Sequence, residues 1–366
     1  MRIAFYPTMK APEHSIPSGD REMARLLLLA LERSGHEVVI ASSLRSYARD
    51  SAAAALDALE QQAAHEAARL AQLWHDSSLR PQAWLTYHVY YKSPDLIGPA
   101  VARALRIPYL IAEASWSRKR DAGEWKPWQR AAERGISAAD VIFSYTAQDR
   151  DGLDGAPGRK AEMLALPPFI DAPAHPAPPS KPLRARAELV ASAMMRAGNK
   201  LESYRFLAQA LALLDPLDWH LTLLGDGPQR AAVGGAFQIF AAGRVSFSGL
   251  LAPADSAATV AAADLFVWPG VTEAYGMVYL EAQAAGTPVV ALASGGTAST
   301  FAPGATGLLV SPCTPQAYAD AIASLLRDPA RRLEMGRAAR RFVLEERNVA
   351  KAAAILDQGL RLAGAA

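Results

Sequence analysis

The feature that most limits how this chain can fold is a regular alternation of short β-rich runs with Ala- and Leu-rich helical runs. Residues 2–6 and 37–41 are typical of strands, and the helix between them has Ser18 as a capping residue at its start and Gly35 at its end. The same order recurs through most of the chain. Such alternation indicates βαβ units, in which parallel strands form a sheet covered by helices. The sequence therefore predicts an α/β protein.

A proline-rich stretch divides the chain into two α/β regions. Residues 166–182 contain seven prolines, which exclude a helix and favour an extended linker. We therefore expect a first domain over residues 1–166, a linker over 167–182, a second domain over 183–345 and a final helical segment over 346–366. Ligands of open α/β sheets bind at the carboxyl ends of the strands, so a cleft between two facing domains is the expected site.

Composition excludes several classes of protein. The 366 residues carry 38 Lys and Arg against 36 Asp and Glu, and a formal net charge of +2 gives no reason to expect a nucleic-acid partner. Cys313 is the one cysteine, so no intrachain disulfide can form. The first apolar run is cut by Pro7, and no later run approaches the roughly 20 residues needed to cross a bilayer. We expect a cytoplasmic protein.

One segment in the second half carries most of the chemical information. The strand-like run 265–268 ends at a Pro-Gly pair, and Glu273 follows in the turn that leads to a helix. Gly276 allows close approach of a ligand where that helix begins, and the first amides of a helix are donors suited to a phosphate. Glu281 lies about one turn further on, where burial of its carboxylate is costly unless a partner such as a sugar hydroxyl satisfies it.

This segment resembles the signature of the family-4 glycosyltransferases, which are retaining nucleotide-sugar enzymes related to glycogen synthase. Their signature is Glu-x-aromatic-Gly-x4-Glu-Ala followed by Gly-x-Pro-Val-Val. The residues that match it are Glu273, Tyr275, Gly276, Glu281, Ala282, Gly286, Pro288, Val289 and Val290. The resemblance implies the GT-B fold, in which two Rossmann-like domains face each other across a cleft and the last helix crosses back to the first domain.

The resemblance also implies roles for individual residues. Glu273 is expected to hold the donor hexose and Glu281 the ribose hydroxyls. The segment Tyr275, Gly276, Met277 and Val278 is expected to meet the sugar and the diphosphate. Residues 190–200 resemble a family element in which an arginine and a lysine bind the diphosphate, here Arg196 and Lys200. Two cations suit a leaving group that gains charge.

Departures from the family pattern leave other interpretations open. Met194 and Met195 stand where the family usually has a glycine before the arginine, so Arg196 and Lys200 also fit a solvated pair after a strand. The strand 245–249 matches a family strand that borders the nucleotide base, which makes Phe247 a candidate contact.

The first domain resembles the family less closely. Gly19 stands where the family has a glycine-rich turn that approaches the phosphates, although it also fits a plain helix start. Residues 107–115 match a family run whose cleft histidine falls at Ala114 and is missing here. His88, after the strand 84–87, matches a second position where the family often has histidine, and is either a substrate-binding or a structural residue.

Two further patterns need an explanation. Asp149-Arg150-Asp151 has the form of a metal-binding DxD motif, but it also opens a helix, where acidic residues are stabilised by the helix dipole. We favour the helix start and expect no metal and no cofactor. The segment Trp116–Arg134 mixes tryptophans with basic residues. It fits peripheral contact with an anionic membrane, an anionic acceptor, or a solvated loop.

The sequence thus predicts a retaining hexosyltransferase that uses a UDP- or GDP-sugar and a hydroxyl of a carbohydrate or lipid-linked acceptor. Two alternatives remain at this stage. One is a sugar-nucleotide epimerase of the same fold, such as a UDP-N-acetylglucosamine 2-epimerase. The other is a non-catalytic protein that binds sugar nucleotides.

Overall fold

The computed structural model describes residues 1–13, 18–172, 186–214 and 217–365. The chain divides into two compact units. Unit 1 consists of Met1–Pro167 together with Val349–Ala366, and unit 2 consists of Pro168–Asn348. Most of the expected proline-rich linker, from residue 173 to residue 182, lies outside the described residues.

Unit 1 is built on a parallel sheet in which the described strands follow the order β2-β1-β3-β4-β5-β6. Its strands are β1 (Arg2–Pro7), β2 (Glu37–Ile40), β3 (Ala83–Val89), β4 (Tyr109–Ala114), β5 (Val141–Ser144) and β6 (Glu162–Ala165). Its helices are α1 (Gly19–Arg33), α2 (Ala53–Trp74), α3 (Gly98–Leu105), α4 (Lys126–Ala138), α5 (Ala147–Asp154) and the last helix of the chain, α12 (Val349–Leu362).

Unit 2 has a second parallel sheet, in which the described strands follow the order β12-β11-β10-β7-β8-β9. Its strands are β7 (Ala187–Ser192), β8 (Trp219–Leu224), β9 (Val245–Gly249), β10 (Leu265–Val267), β11 (Val289–Leu292) and β12 (Gly307–Val310). Its helices are α6 (Asn199–Ala212), α7 (Arg230–Phe237), α8 (Pro253–Ala262), α9 (Met277–Ala284), α10 (Pro315–Leu326) and α11 (Pro329–Glu346).

Burial explains why these runs form parallel strands. Every residue of β4, β5, β10 and β11 is buried, because helices cover both faces of each sheet. Helix α12 packs against α1 within unit 1, where His36 Nε2 lies 2.8 Å from a carboxylate oxygen of Asp357. The expected α/β class with parallel sheets is confirmed.

The sequence did not indicate β6. Among the described strands, β6 pairs with β5 alone, at the edge of its sheet, and none of its four residues is buried. A short, partly exposed edge strand lacks the apolar run by which the central strands are recognised.

Candidate functional site

Two loops of unit 2 bring polar side chains to the carboxyl edge of the sheet. Strands β7 and β10 are neighbours, with Phe266 paired to Val190. The loop after β7 leads into α6, and the loop after β10 leads into α9. Since both strands run in the same direction, both loops lie at the same edge, where ligands of such sheets bind.

An ion pair joins these two loops. Lys200, in the first turn of α6, places its Nζ 2.5 Å from Oε2 of Glu273 in the loop after β10. The indole nitrogen of Trp268 lies 3.4 Å from the same oxygen, and the Lys200 ammonium lies 5.5 Å from the centre of the Trp268 ring. The side chains of Lys200 and Glu273 keep 28% and 18% of their surfaces exposed, so a ligand can reach both.

The backbone around Glu273 is held from several sides. The Ser294 hydroxyl donates to the Gly270 carbonyl at 3.0 Å, and the Gly296 amide donates to the Glu273 carbonyl at 3.2 Å. Gly276 has a φ of +78° and directly precedes α9. A Cβ at this position would lie 2.3 Å from the buried ring of Tyr279, so only glycine fits. The loop is therefore preorganised.

The loop after β7 is held against the loop after β8. The Met195 amide donates to the Asp226 carbonyl at 2.9 Å, and a Cβ at Gly227 would lie 2.5 Å from the Met195 carbonyl oxygen. Arg196 follows in the same loop. Its guanidinium is exposed and makes no hydrogen bond or ion pair with the residues that the structure describes. Arg196 and Lys200 thus supply two cations close together in the chain, one in the loop and one in the helix that follows it.

The remaining candidates in unit 2 occupy different surroundings. Glu281 lies on α9, one turn after its start, and is exposed, so its carboxylate incurs no burial cost. Tyr275 and Met277 are buried, and Val278 is half-buried. Phe247 lies on the edge strand β9 with the Arg230 guanidinium 3.9 Å from its ring centre. No contact joins Phe247 to the Lys200–Glu273 pair among the described residues.

A second polar group lies at the carboxyl edge of the unit 1 sheet. His88 Nδ1 is 2.9 Å from Oδ1 of Asp20 in the first turn of α1. The other ring nitrogen, Nε2, is 3.8 Å from Oε1 of Glu113, near the end of β4. Asp149, in the first turn of α5, contributes a third carboxylate near His88. Its amide donates to the hydroxyl oxygen of the N-cap Thr146 at 3.0 Å, and the Thr146 hydroxyl donates to its carboxylate at 2.6 Å, as the helix-start interpretation of the DxD sequence predicts. We call Asp20, His88, Glu113 and Asp149 the histidine cluster.

The members of the histidine cluster shift one another's titration. Burial lowers the pKa of His88, but the charge of Glu113, the hydrogen bond to Asp20 and the further carboxylate charges outweigh it and raise the pKa to about 9. Burial raises the pKa of Glu113 to about 7, opposed by the charge of His88 and assisted by those of Asp149 and Asp20. The cluster therefore favours the charged form of His88, whereas burial opposes ionisation of Glu113.

The other candidate residues of unit 1 differ in how much space surrounds them. Gly19 is the first residue of α1, and a Cβ there would meet nothing within 4 Å, so the space beside it is open. Ala114 is wholly buried within the hydrophobic core of unit 1. The polar side chain at the end of β4 is thus Glu113, which the sequence analysis did not select. Nothing in the run 112–115 marks Glu113 in the sequence alone.

The tryptophans of residues 116–134 are not surface groups. Trp116 and Trp128 are 7% and 1% exposed, and Trp116 donates from Nε1 to Glu133 at 2.7 Å. Trp125 packs on Tyr91 and carries the Lys92 ammonium 5.0 Å from its ring centre. Trp116 and Trp128 therefore complete the packing of unit 1, and any contact of this segment with an anionic partner falls to its basic residues. Exposed cations remain, and we call Arg118, Lys119 and Lys126 the basic surface.

Known proteins share this architecture. The crystal structure of Anabaena HepE in complex with UDP-glucose matches 99% of this chain and 99% of its own, with a TM-score of 0.70 and 18% identity. The class is therefore the GT-B fold. Residues 188–328 match the family model of glycosyl transferases group 1. The matched residues lie within unit 2, so this unit resembles the group 1 glycosyltransferases.

Curated relatives match parts of the chain more closely. The D-inositol 3-phosphate glycosyltransferase of Arthrobacter sp. (strain FB24) is 33% identical over 245 residues, which are 61% of this chain and 54% of that protein. The GDP-mannose-dependent monoacylated alpha-(1-6)-phosphatidylinositol monomannoside mannosyltransferase of Corynebacterium glutamicum is 44% identical over 109 residues, 28% of each. The matched region thus spans about half or less of these relatives.

Proposed function

We propose that this protein transfers a hexose from a nucleoside-diphosphate sugar to an acceptor hydroxyl with retention at the anomeric carbon. The observation that carries the proposal is the Lys200–Glu273 ion pair at the carboxyl edge of the unit 2 sheet. It joins a cation to a carboxylate on two loops that glycines and hydrogen bonds hold in place, within the region that matches the family model.

The proposed roles of the donor-site residues follow from their charges. Arg196 and Lys200 bind the diphosphate and stabilise the negative charge that it gains as the glycosidic bond breaks, so no metal is required. Glu273 accepts hydrogen bonds from hydroxyls of the hexose, and its contact with Lys200 fixes both side chains before the donor arrives. Backbone amides at the start of α9, from Gly276 to Val278, meet the sugar and the diphosphate.

The nucleoside of the donor is assigned to the remaining part of the carboxyl edge of the unit 2 sheet. Glu281 is exposed one turn into α9, which leaves its carboxylate accessible to the ribose hydroxyls. Phe247 and the Arg230 guanidinium above it form a planar surface on which a base can stack. In unit 1, the open space beside Gly19 and the position of His88 at the carboxyl edge of the sheet make both of them candidate substrate-binding residues.

The comparisons suggest substrates to try first. UDP-glucose is the ligand in the HepE complex, and GDP-mannose is the donor in the name of the mannosyltransferase relative. Inositol 3-phosphate and a phosphatidylinositol mannoside are the acceptors in the relatives' names. We propose an acceptor that carries both hydroxyls and a phosphate, in glycan or glycolipid synthesis.

A thermal-shift panel of UDP, GDP, UDP-glucose and GDP-mannose tests the donor site. A ligand at one hundred times its Kd adds about 2.7 kcal/mol of stability, and we expect at least one member to raise the melting temperature by several degrees. Glu281→Ala should lose most of this rise, because the ribose hydroxyls lose their acceptor. Glu345→Ala, an exposed carboxylate on α11, is the matched control and should keep it. A full shift in the Glu281 variant contradicts the ribose assignment.

Product analysis separates the proposal from its alternatives. An epimerase converts the sugar nucleotide without any acceptor, whereas a transferase releases the nucleoside diphosphate only as it glycosylates an acceptor or, slowly, water. A protein that only binds sugar nucleotides would show the thermal shift but no turnover, either with or without an acceptor.

We also propose that the basic surface of unit 1 contacts anionic lipid. None of the helices within the described ranges is both long and apolar enough to span a membrane. Arg118, Lys119 and Lys126 are exposed, and each cation near an anionic membrane contributes about 1 kcal/mol. The protein should sediment with phosphatidylglycerol vesicles at low salt and remain free with phosphatidylcholine vesicles. Reversing these three charges should weaken binding by roughly a hundredfold.

The matched control for vesicle binding reverses two exposed cations of α11, Arg337 and Arg341, and should leave sedimentation unchanged. If the unaltered protein does not sediment with anionic vesicles at low salt, the membrane proposal fails.

A further inference from the structure

Trp268 lies directly after β10 and contacts both members of the Lys200–Glu273 ion pair. Its side chain is fully buried, and a buried indole N–H needs an acceptor. Among the described residues this acceptor is Oε2 of Glu273, at 3.4 Å. The ring centre of the same indole lies 5.5 Å from the ammonium of Lys200. One buried side chain thus touches the two charged groups on which the proposed function depends.

The neighbours of Trp268 fix the position of its ring. The buried ring of Tyr204 packs against it in a T-shaped arrangement, with 4.9 Å between the ring centres. The Tyr204 hydroxyl is itself held, because it donates to the Ala193 carbonyl at 2.7 Å. The Tyr279 hydroxyl donates to the Trp268 carbonyl at 3.2 Å. Since a closely packed interior leaves such a ring little freedom, the indole N–H keeps one direction, toward Glu273.

The Ser203 hydroxyl joins the first turn of α6 to the loop after β10. It donates to the Asn199 carbonyl at 2.7 Å and accepts from the Val271 amide at 2.9 Å. Lys200 directly follows Asn199, and Glu273 lies two residues after Val271. The backbones that carry the two charged residues are therefore tied together, and what remains to be set is the orientation of their side chains.

The two oxygens of the Glu273 carboxylate have different surroundings. Oε2 accepts from Lys200 Nζ at 2.5 Å and from the Trp268 N–H. Oε1 makes no hydrogen bond or ion pair with the residues that the structure describes, and solvent reaches it. An ammonium is a point charge and pairs equally well with a carboxylate turned either way. The directional N–H of the indole selects one orientation, which leaves Oε1 to a ligand.

We propose that Trp268 is a positioning residue for the donor hexose, whose N–H holds Oε2 of Glu273 so that Oε1 accepts from the sugar hydroxyls. The inference rests on the proposed function, in which Glu273 binds the hexose and Lys200 the diphosphate. When the ammonium turns toward the diphosphate, the indole N–H remains as the fixed partner of the carboxylate. Loss of this N–H should therefore weaken binding of the hexose and spare binding of the nucleotide.

The test compares nucleotides with their sugar nucleotides, using the full chain and UDP, UDP-glucose, GDP and GDP-mannose. The measured quantity is the Kd of the sugar nucleotide divided by the Kd of the matching nucleotide, for the base that binds more tightly. Trp268→Phe removes the N–H and keeps a ring beside Lys200. We expect it to raise this ratio about tenfold and to leave the Kd of the nucleotide alone within twofold.

Trp219→Phe is the matched control for the loss of a buried indole. Trp219 is also a buried tryptophan of unit 2, and the Arg244 guanidinium lies 4.3 Å from its ring centre. Its N–H, however, has no hydrogen-bond partner among the described residues. The same substitution there removes a similar volume without removing a contact of the N–H, so the ratio should stay within twofold.

A Glu273→Ala background shows whether Trp268 acts through Glu273. Alanine removes both carboxylate oxygens, so Trp268→Phe should change the ratio by less than twofold in that background. A tenfold rise that persists there would overturn the inference. An unchanged ratio in the single Trp268 variant would also overturn it, as would an equal loss of affinity for nucleotide and sugar nucleotide, which a merely structural role predicts.

A spectroscopic measurement tests the contact even if the Trp268 variant does not fold. The chain has seven tryptophans, so protein labelled with ¹⁵N-tryptophan should give one indole N–H resonance for each. In Glu273→Ala one of these resonances should move upfield, because its proton loses a charged acceptor. If none moves, the indole N–H does not hold Glu273 and the inference is overturned.

The outcomes separate this inference from the proposed function. If the unaltered protein binds a sugar nucleotide and only the Trp268 results differ from those expected, the positioning role is lost and the transferase assignment stands. If Glu273→Ala leaves the ratio unchanged, the assignment of the hexose to Glu273 is wrong and the inference fails with it. If the unaltered protein binds neither sugar nucleotide, both the proposed function and the inference fail.

Discussion

Replacing Lys200 with Met is expected to lower kcat/KM for transfer by about a thousandfold, or roughly 4 kcal/mol of transition-state stabilisation. The ammonium lies 2.5 Å from Glu273. It is the cation best placed to stabilise the negative charge that develops on the leaving diphosphate. Its loss removes that stabilisation and also leaves the Glu273 carboxylate without its partner. Circular dichroism should remain unchanged, because the pair is partly exposed and contributes little to the core.

Replacing Glu273 with Gln is expected to have a smaller effect, about a hundredfold, because the amide keeps the size of the side chain and part of its hydrogen bonding to the hexose. If the two residues act as a unit, the double variant should be little worse than the Lys200 variant alone. Arg205→Met is the control, since Arg205 lies on the same helix and pairs with Glu202 at 2.7 Å on the surface. If the Lys200 variant keeps a third or more of the activity, the donor-site assignment is wrong.

The positions of the proposed donor-binding residues could be predicted from sequence because the signals are local. Glu273, Gly276 and Glu281 lie within nine residues, after a strand-like run that ends in a Pro-Gly pair, and their roles are those that the family resemblance implies. The same holds for Lys200 at the start of α6. The contact between Lys200 and Glu273 is not local, but it follows once β7 and β10 are neighbours in a parallel sheet.

The histidine cluster could not be predicted in the same way, because it depends on register and backbone conformation. Nothing in the run 112–115 distinguishes Glu113 from its neighbours until β4 is paired with β3. The left-handed backbone at both strand ends then turns His88 and Glu113 toward each other. For a similar reason the burial of Trp116 and Trp128 could not be predicted. Charge and aromaticity are visible in sequence, but the fit of Trp116 and Trp128 into the unit 1 core is a property of tertiary packing.

Replacing Gly276 with Ala is expected to destabilise unit 2 by about 3 kcal/mol and to lower its apparent melting temperature by roughly 5–10 °C. Two costs combine. The φ of +78° is unfavourable for a residue with a Cβ, and that Cβ would lie 2.3 Å and 2.5 Å from two ring atoms of Tyr279. Tyr279 cannot easily move, because its ring is fully buried and its hydroxyl donates to the Trp268 carbonyl at 3.2 Å.

The same substitution should also remove the thermal shift caused by UDP, since relief of the clash displaces the start of α9 together with the loop that carries Glu273. Gly234→Ala is the matched control. Gly234 lies within α7, its φ is not positive, and a Cβ there would meet nothing within 4 Å, so alanine should be neutral or stabilise by up to about 1 kcal/mol. Thermal unfolding with and without UDP measures both effects. Equal melting temperatures and equal UDP shifts in the two variants would mean that Gly276 is not needed to form the donor site. The transferase proposal depends on a preorganised loop, and that result would contradict it.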